Sequence, residues 1–467
     1  MENLLLFFYD IGLLAALAVL GPFLLTKKKA RAGLSQKFGK LPQSFENSLA
    51  ACQETVWLHA VSVGEFTAVL PFIKLFHERY PDKKIVISTT TETGNKLALE
   101  HVGDFASVFY FPFDLSWVVK TVLDIVHPSI VFMAETELWP CFTNECAKRD
   151  IPLVILNGRM SPRSFKSYKL FGFIFAPLLK KFSLIGAQSK TEAQRYESIA
   201  QVKLPTIALG NLKYDNLVTP AGDEAALLKD KLGIRAGELV LVAGSTHETE
   251  EQLVLEALRS LQSKNGQEKY RLIIAPRHPE RFARVGEIVQ SFGFRPRYFS
   301  KGELLESRQD VYVLDTIGAL AKHYSVATVA FVGGTIAKVG GHNLLEPYAY
   351  GVPVVCGPYL FKTKETAKIL KGQGALLIGK SAIEVEAMII KLFADQDLRR
   401  EMGDAGRHWL RDNQGAVDRA LVAVERLMIA RGLVNPNRAD ANEELASNIS
   451  QQKMLQTSNH NRRSGEL

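Results

Sequence analysis

The chain opens on an apolar run, LLLFFYDIGLLAALAVLGPFLL from Leu4 to Leu25, in which Asp10 is the only charge. About 20 apolar residues cross a bilayer, so the run is long enough to span one. No positive charge precedes it after Met1-Glu2-Asn3, whereas Lys27, Lys28, Lys29 and Arg31 follow. That is the charge order of a signal-anchor rather than of a cleaved signal peptide, and it keeps the body on the cytoplasmic side. A helix lying in the membrane interface is the alternative reading.

Past this segment the pattern changes to short apolar runs separated by longer mixed stretches. Runs at 56–61, 85–89, 108–111, 130–133, 153–156 and 184–187 are apolar at both odd and even positions. Strands covered on both faces have that signature, and strands alternating with helical stretches predict parallel sheets flanked by helices. The rhythm pauses over 210–230, where Pro220 and Gly222 stand among charges. It resumes at 239–243, 272–275, 311–314, 326–332 and 352–356. The expected organisation is an anchor over 1–30, one α/β domain over 31–215 and a second over 216–433. A polar tail over 434–467 lacks apolar periodicity and is expected to be disordered.

With 467 residues the length suits two or three domains. Lys and Arg exceed Asp and Glu by 57 to 49, an excess compatible with phosphorylated substrates, anionic lipid or nucleic acid. Four scattered cysteines with no C-x-x-C pair argue against a disulfide framework or a zinc ribbon.

Ligands of such sheets bind beyond the carboxyl ends of the strands, and the cleft between two such domains is the default site. The first strand runs into Ser62-Val63-Gly64-Glu65, and the fourth into Glu135-Thr136-Glu137-Leu138-Trp139-Pro140. A carboxylate there can accept a proton from an attacking hydroxyl or stabilise positive charge. Glu65 would equally well complement the dipole of the helix that follows it, and capping of a helix starting at Pro140 would account for one of Glu135 and Glu137. Lys213 follows near the domain junction and could neutralise a phosphate or a carboxylate. In the second half the strand ends are Gly244-Ser245-Thr246-His247, Pro276-Arg277-His278-Pro279, Asp315-Thr316-Ile317-Gly318-Ala319-Leu320 and Gly333-Gly334-Thr335. Gly340-Gly341-His342-Asn343-Leu344-Leu345-Glu346-Pro347 lies further on. Arg277 suits a phosphate. A helix beginning at Asn343 would hold one at its N-terminus, with Glu346 one turn on to reach a ribose.

No G-x-x-x-x-G-K-[ST], no G-x-G-x-x-G after the first strand and no H-E-x-x-H occurs, so a P-loop nucleotidase, a dinucleotide dehydrogenase and a zinc hydrolase are unsupported. His59, His247, His278 and His342 flank strand ends at spacings that fit no shared metal site. The stretch RMSPRSFKSYKLFGFIFAPLLKKF, 159–182, interleaves aromatic residues with Arg159, Arg163, Lys166, Lys169, Lys180 and Lys181. It fits a lipid headgroup surface as well as it fits a core helix with a solvated basic face.

Taken together, the motifs around Glu65, Glu135–Pro140, Pro276–Pro279 and Gly341–Pro347, in this order behind an N-terminal anchor, resemble the 3-deoxy-D-manno-octulosonic acid (Kdo) transferases of lipid A synthesis. The resemblance runs from the anchor to about residue 430. It implies a GT-B fold, two Rossmann-like domains facing across a cleft, at the cell inner membrane. It implies CMP-Kdo as donor, a tetra-acylated lipid A precursor (lipid IVA) as acceptor and anionic lipid as the surface. No nucleic acid, metal or other cofactor is implied. Glu65 becomes the general base of an inverting displacement by the acceptor 6′-hydroxyl, and Glu135 and Lys213 stabilise the transition state. CMP would be held by Pro276 and Arg277, by Gly318, Ala319 and Leu320, and by Asn343, Leu344, Leu345 and Glu346. The family often carries an acidic residue where this chain has Ala319. Two other readings stay open on the residues alone: a nucleotide-sugar 2-epimerase on a similar frame, and a tethered binding protein without catalysis.

Overall fold

The structure is a computed structural model that describes residues 2–25, 31–50, 54–217, 224–264 and 269–435. The basic residues Lys27–Lys29, the junction around Pro220 and the tail from 436 onward lie outside these. The chain divides into two compact units, 1–216 with 414–467, and 217–413.

Unit 1 begins with a helix, α1 (Glu2–Leu25). Among the described residues no helix is long and apolar enough to cross a membrane. Several residues at the C-terminal end of the apolar run, where an anchor would continue, lie outside the described side chains. A seven-stranded parallel sheet follows: β1 (Thr55–His59), β2 (Lys84–Thr89), β3 (Ala106–Tyr110), β4 (Pro128–Ala134), β5 (Leu153–Gly158), β6 (Leu184–Ala187) and β7 (Thr206–Ala208). Its order is β3-β2-β1-β4-β5-β6-β7, with β1 pairing β2 on one side and β4 on the other, His59 opposite Met133. Every residue of β1 is buried, as a strand covered on both faces requires. Alternation then splits it between two cores. Val56 and Leu58 join Phe72, Phe76 and Phe132 on one face, while Trp57 joins Phe109, Met133 and Phe142 on the other.

The helices that matter for the site are α2 (Val63–Arg79), α3 (Ser116–Val126), α4 (Pro140–Lys148), α5 (Pro162–Leu170) and α6 (Gly172–Leu179). Unit 2 repeats the plan, with α7 (Glu250–Lys264) after its first strand and α8 (Gln396–Asn413) at its end. Its strands are β8 (Leu239–Thr246), β9 (Tyr270–Pro276), β10 (Arg295–Tyr298), β11 (Asp310–Val313), β12 (Val329–Val332), β13 (Val354–Cys356) and β14 (Leu376–Ile378). They are ordered β10-β11-β9-β8-β12-β13-β14, all parallel.

One boundary differs from expectation. The second domain was expected to run to 433, but the chain leaves unit 2 after Asn413, and its last helix, α9 (Ala416–Ala430), belongs to unit 1. Val417, Ala420, Leu421, Val424 and Met428 are buried in the same core as Phe72 and Phe76. Each of the Val, Leu and Met side chains contributes about 1.5–3 kcal/mol. Polar contacts fix the register. Asp215 accepts the N–H groups of Gly415 at 2.8 Å and Val417 at 2.6 Å, capping the helix, and Glu425 accepts the Tyr80 hydroxyl at 2.6 Å. Helical periodicity locates α9 in the sequence; only its packing partner decides which unit owns it.

Candidate functional site

Each sheet has one point where the strand order reverses. In unit 1 it lies between β1 and β4, so the segments that follow these strands emerge side by side. After β1, Ser62 caps α2 with its hydroxyl accepting the Glu65 N–H at 3.4 Å. Glu65 reciprocates: its Oε1 accepts the Ser62 hydroxyl at 3.0 Å and its Oε2 accepts the Val61 N–H at 2.7 Å. This is a capping box, so Glu65 has the structural role open to it from sequence. Burial nevertheless pushes its carboxyl above the ordinary range against those hydrogen bonds. Glu135 adds a smaller upward push and Lys213 a downward one.

After β4, Glu135 sits at φ 57°, a left-handed conformation uncommon outside glycine. Its Oε1 lies 2.8 Å from Lys213 Nζ. Lys213 rides on a short 3-10 turn, Leu212–Tyr214, pinned at both ends of its first residues. Asn211 Oδ1 accepts the Lys213 N–H at 3.1 Å, and Asn157 Oδ1 accepts the Leu212 N–H at 3.0 Å. Asn157, at the end of β5, is itself left-handed at φ 58°. Two strained strand ends therefore converge on one ion pair, a pattern concentrated at functional sites.

Glu137 belongs to the same electrostatic group. Burial, and next the charge of Glu65, push its carboxyl up to about 7. Neither Glu135 nor Glu137 caps α4, although Pro140 opens that helix as the sequence suggested. The cap comes from Asp114, which accepts the N–H groups of Cys141 at 3.0 Å and Phe142 at 2.8 Å. Both glutamates are left for other work.

In unit 2 the reversal lies between β8 and β12. The glycine-rich strand end Gly333-Gly334-Thr335 is already filled. Glu250 Oε2 accepts the Gly334 N–H at 2.8 Å and Oε1 accepts those of Thr335, Ile336 and Ala337 at 2.9–3.1 Å. Glu250 also accepts the His247 N–H at 2.9 Å. A buried carboxylate holds this nest closed to other anions.

The open chemistry lies beside it. His247 Nε2 and His342 Nε2 are 2.8 Å apart, with parallel rings, and His278 meets the His247 ring edge-on. Burial first and then His247 push His342 down to about 4, so one nitrogen of this pair donates and the other accepts. The loop that brings His342 there needs its glycines. Gly340 and Gly341 have φ of 105° and 85°, and a Cβ on Gly340 would stand 2.4 Å from the Phe361 ring.

Arg277 is exposed and makes no ion pair among the described residues; its backbone N–H donates to Thr246 O at 3.1 Å. Pro276 is the buried last residue of β9. Gly318 and Ala319 form the turn into a four-residue helix, Leu320–His323, and the Ala319 carbonyl faces His323 Nδ1 at 2.8 Å. The segment from Asn343 corrects the sequence reading. No α-helix starts there; Asn343 Oδ1 takes the Leu345 N–H at 3.1 Å, and a 3-10 turn spans Glu346–Tyr350. Pro347 at its second position has no N–H, and Gly351 ends it in a left-handed conformation after five residues. Leu344 and Leu345 are buried, which leaves only their backbone for a ligand. Asn343 Nδ2 donates to Glu346 Oε1 at 3.0 Å, and burial raises the Glu346 carboxyl against the pull of Asn343 and Arg277.

Glu137 and the His247–His342 pair are the members that sequence reasoning did not bring together. Among the described residues no group of His, Cys, Asp or Glu is arranged to hold a metal ion. The cysteines Cys141, Cys146 and Cys356 are free and buried.

Residues 32–216 match the family described as 3-deoxy-D-manno-octulosonic-acid transferase (kdotransferase), and residues 229–409 match glycosyl transferases group 1. The chain is 31% identical over 422 residues to the 3-deoxy-D-manno-octulosonic acid transferase of Haemophilus influenzae, covering 89% of this chain and 97% of that protein. Among solved structures, the C-terminal CMP-Kdo binding domain of WaaA from Acinetobacter baumannii is 32% identical, covering 40% of this chain and 96% of its own, with a TM-score of 0.38. A UDP-N-acetylglucosamine 2-epimerase aligns over 82% of this chain and 97% of its own at 11% identity and a TM-score of 0.53, a likeness of fold alone.

Proposed function

The chain belongs to the 3-deoxy-D-manno-octulosonic acid transferase family, a glycosyltransferase of GT-B fold, and from that premise we propose that it transfers Kdo from CMP-Kdo to the lipid A precursor lipid IVA. Glu65 is the general base. It takes the proton of the acceptor 6′-hydroxyl as that oxygen attacks the anomeric carbon, and the bond to the CMP phosphate breaks on the opposite face. One displacement inverts the centre.

The observation that carries this reading is the grouping at the β1–β4 reversal: a partly buried Glu65 with a raised carboxyl beside the Glu135–Lys213 ion pair. A carboxyl raised toward neutrality is the stronger base for a hydroxyl proton. Lys213, held by Glu135, supplies fixed positive charge for the carboxylate of Kdo, and Glu135 offsets the charge that develops on the ring. In unit 2, Arg277 and the neutral His247–His342 pair receive the phosphate. The backbone of Gly318–Leu320 and Leu344–Leu345, with Asn343 and Glu346, receives the nucleoside, so an alanine at 319 costs no contact. Each of these groups is one of the chain's own side chains or amides.

The work is done at the cytoplasmic face of the inner membrane. Supporting this is the segment of α5 and α6 with their flanking residues, which exposes Leu170, Phe171, Phe173 and Ile174 together with Arg163, Lys166, Lys169 and Lys180. Apolar groups among cations match an anionic lipid surface. The test is incubation of the full chain with CMP-Kdo and lipid IVA, followed by mass spectrometry of the lipid. Whole Kdo increments are expected; release of free Kdo with unchanged lipid would overturn the acceptor.

A further inference from the structure

The helix α1 is docked along unit 1, and the docking decides how it meets the membrane. Leu6, Tyr9, Asp10, Leu13 and Leu17 are half-buried, while Leu4, Leu5, Phe7, Phe8, Ile11, Leu14 and Val19 are exposed. At 100° per residue the first set forms one stripe and the second a broad apolar arc opposite. The stripe is bonded specifically. The helix α3 has Leu115 at its N-cap, which cannot cap. Asp10 supplies the missing acceptor from α1, taking the Ser116 N–H at 3.0 Å, and the Cys141 thiol lies 3.4 Å from the same oxygen. Leu6 and Tyr9 pack against the core that also takes Phe165, Tyr168 and Phe175 of α5 and α6.

We infer that α1 is an in-plane anchor: its apolar arc enters one leaflet of an anionic phospholipid bilayer while its other face stays on unit 1. The length of α1, 24 residues, does not decide this, since such a helix reaches roughly 36 Å. The docking does. With residues 6–10 held on a unit that stays outside the bilayer, only 11–25 remain, about 22 Å against the roughly 30 Å of a hydrocarbon core. Charge complementarity names the occupant. The exposed cations Arg163, Lys166 and Lys169 stand on α5, packed on the same core as α1, where lipid phosphates would meet them. Asp10 is then the residue that orients the anchor. The inference rests on the membrane reading above, and its tests do not read transfer activity, so either can fail alone.

The full chain carrying Glu2→Cys is added to preformed phosphatidylethanolamine–phosphatidylglycerol vesicles and treated with a membrane-impermeant maleimide, adducts being assigned by mass mapping. Labelling of the introduced thiol equally with and without detergent is expected; protection until detergent is added would show a span and overturn the inference. Phe8→Asp, in the middle of the arc, is expected to lower vesicle retention at least tenfold with the melting temperature unchanged. Unchanged retention, or conversion of a dimer to a monomer instead, would overturn a lipid occupant. Asp10→Ala is expected to speed alkylation of Cys141 at least tenfold, and Asp10→Asn, whose amide oxygen still accepts from Ser116, to leave it slow. Equal rates in all three proteins would overturn the docking.

Discussion

Lys213 Nζ and Glu135 Oε1 stand 2.8 Å apart, joining residues 78 positions distant at the strand reversal of unit 1. Both side chains are partly solvated, so the pair adds little to stability. Its value is electrostatic: the cation lowers the Glu65 carboxyl and the anion raises it. Lys213→Ala removes the downward influence. Glu65 should then stay protonated to higher pH, and the acid limb of kcat/KM should move upward. Loss of the fixed charge should also cut kcat by about 100- to 1,000-fold. A pH–rate series on the variant and the parent checks both, and a limb that stays put would separate Lys213 from Glu65.

Glu65→Gln is the cleanest test of the base, because glutamine also completes a capping box. The fold of α2 should survive, with a melting temperature within a few degrees of the parent. Transfer should fall to background while CMP binding, measured by calorimetry, is unchanged. Near-normal transfer by this variant would sink the assignment.

Glu250 fills a nest of backbone N–H groups from His247, Gly334, Thr335, Ile336 and Ala337. Glu250→Ala orphans them beside the β8–β12 reversal. Each buried unsatisfied donor costs about 1–3 kcal/mol, offset where water enters. A loss of about 3 kcal/mol or more is expected in urea unfolding, with weakened CMP binding because His247 and the Gly334 loop lose their support. Chloride or phosphate should restore part of the stability of the variant and none of the parent, since only the variant has a vacant anion nest.

The parallel sheets, the strand ends and the positions of Glu65, Glu135 and Arg277 were legible because they depend on local signals. Doubly covered strands are apolar throughout, and polar residues gather where the strand stops. What was not legible depends on partners far along the chain. Asp114 caps α4 across 27 residues, Glu250 reaches the Gly334 loop across 84, and Asp215 captures α9 across 200. Each is an ordinary acidic residue in its own neighbourhood. The helix expected at Asn343 failed for a local reason: Pro347 has no N–H to return to the Asn343 carbonyl, and Gly351 stops the turn in a left-handed conformation. The ownership of α9 was invisible because an amphipathic helix fits either sheet equally well in sequence.

Two histidines held well below their ordinary range predict how the protein responds to acid. His59 is fully buried, stacks on Phe111 and faces Ser88 through Nδ1, and burial pushes it down to about 3. His342 is pushed down to about 4. Both titrate near 6.5 when unfolded. Below that value the unfolded chain binds protons that the folded chain refuses, so stability falls as pH drops from about 6.5 toward the folded values. Each histidine contributes a slope of about 1.4 kcal/mol per pH unit across that window. His59 acts in unit 1 and His342 in unit 2, so substitution should relieve one unit at a time. His342→Gln keeps a side-chain donor and acceptor beside His247 while removing the titration. Its unfolding free energy should fall less steeply than the parent's from pH 6.5 to 5 for the transition of unit 2, where burial still holds His247 and His323 below the ordinary range, with the transition of unit 1 declining as in the parent. Urea titrations at half-unit pH steps, followed by amide exchange assigned to β8 and to β1, distinguish the two, and a unit 2 slope unchanged from the parent's would rule out His342 as a source.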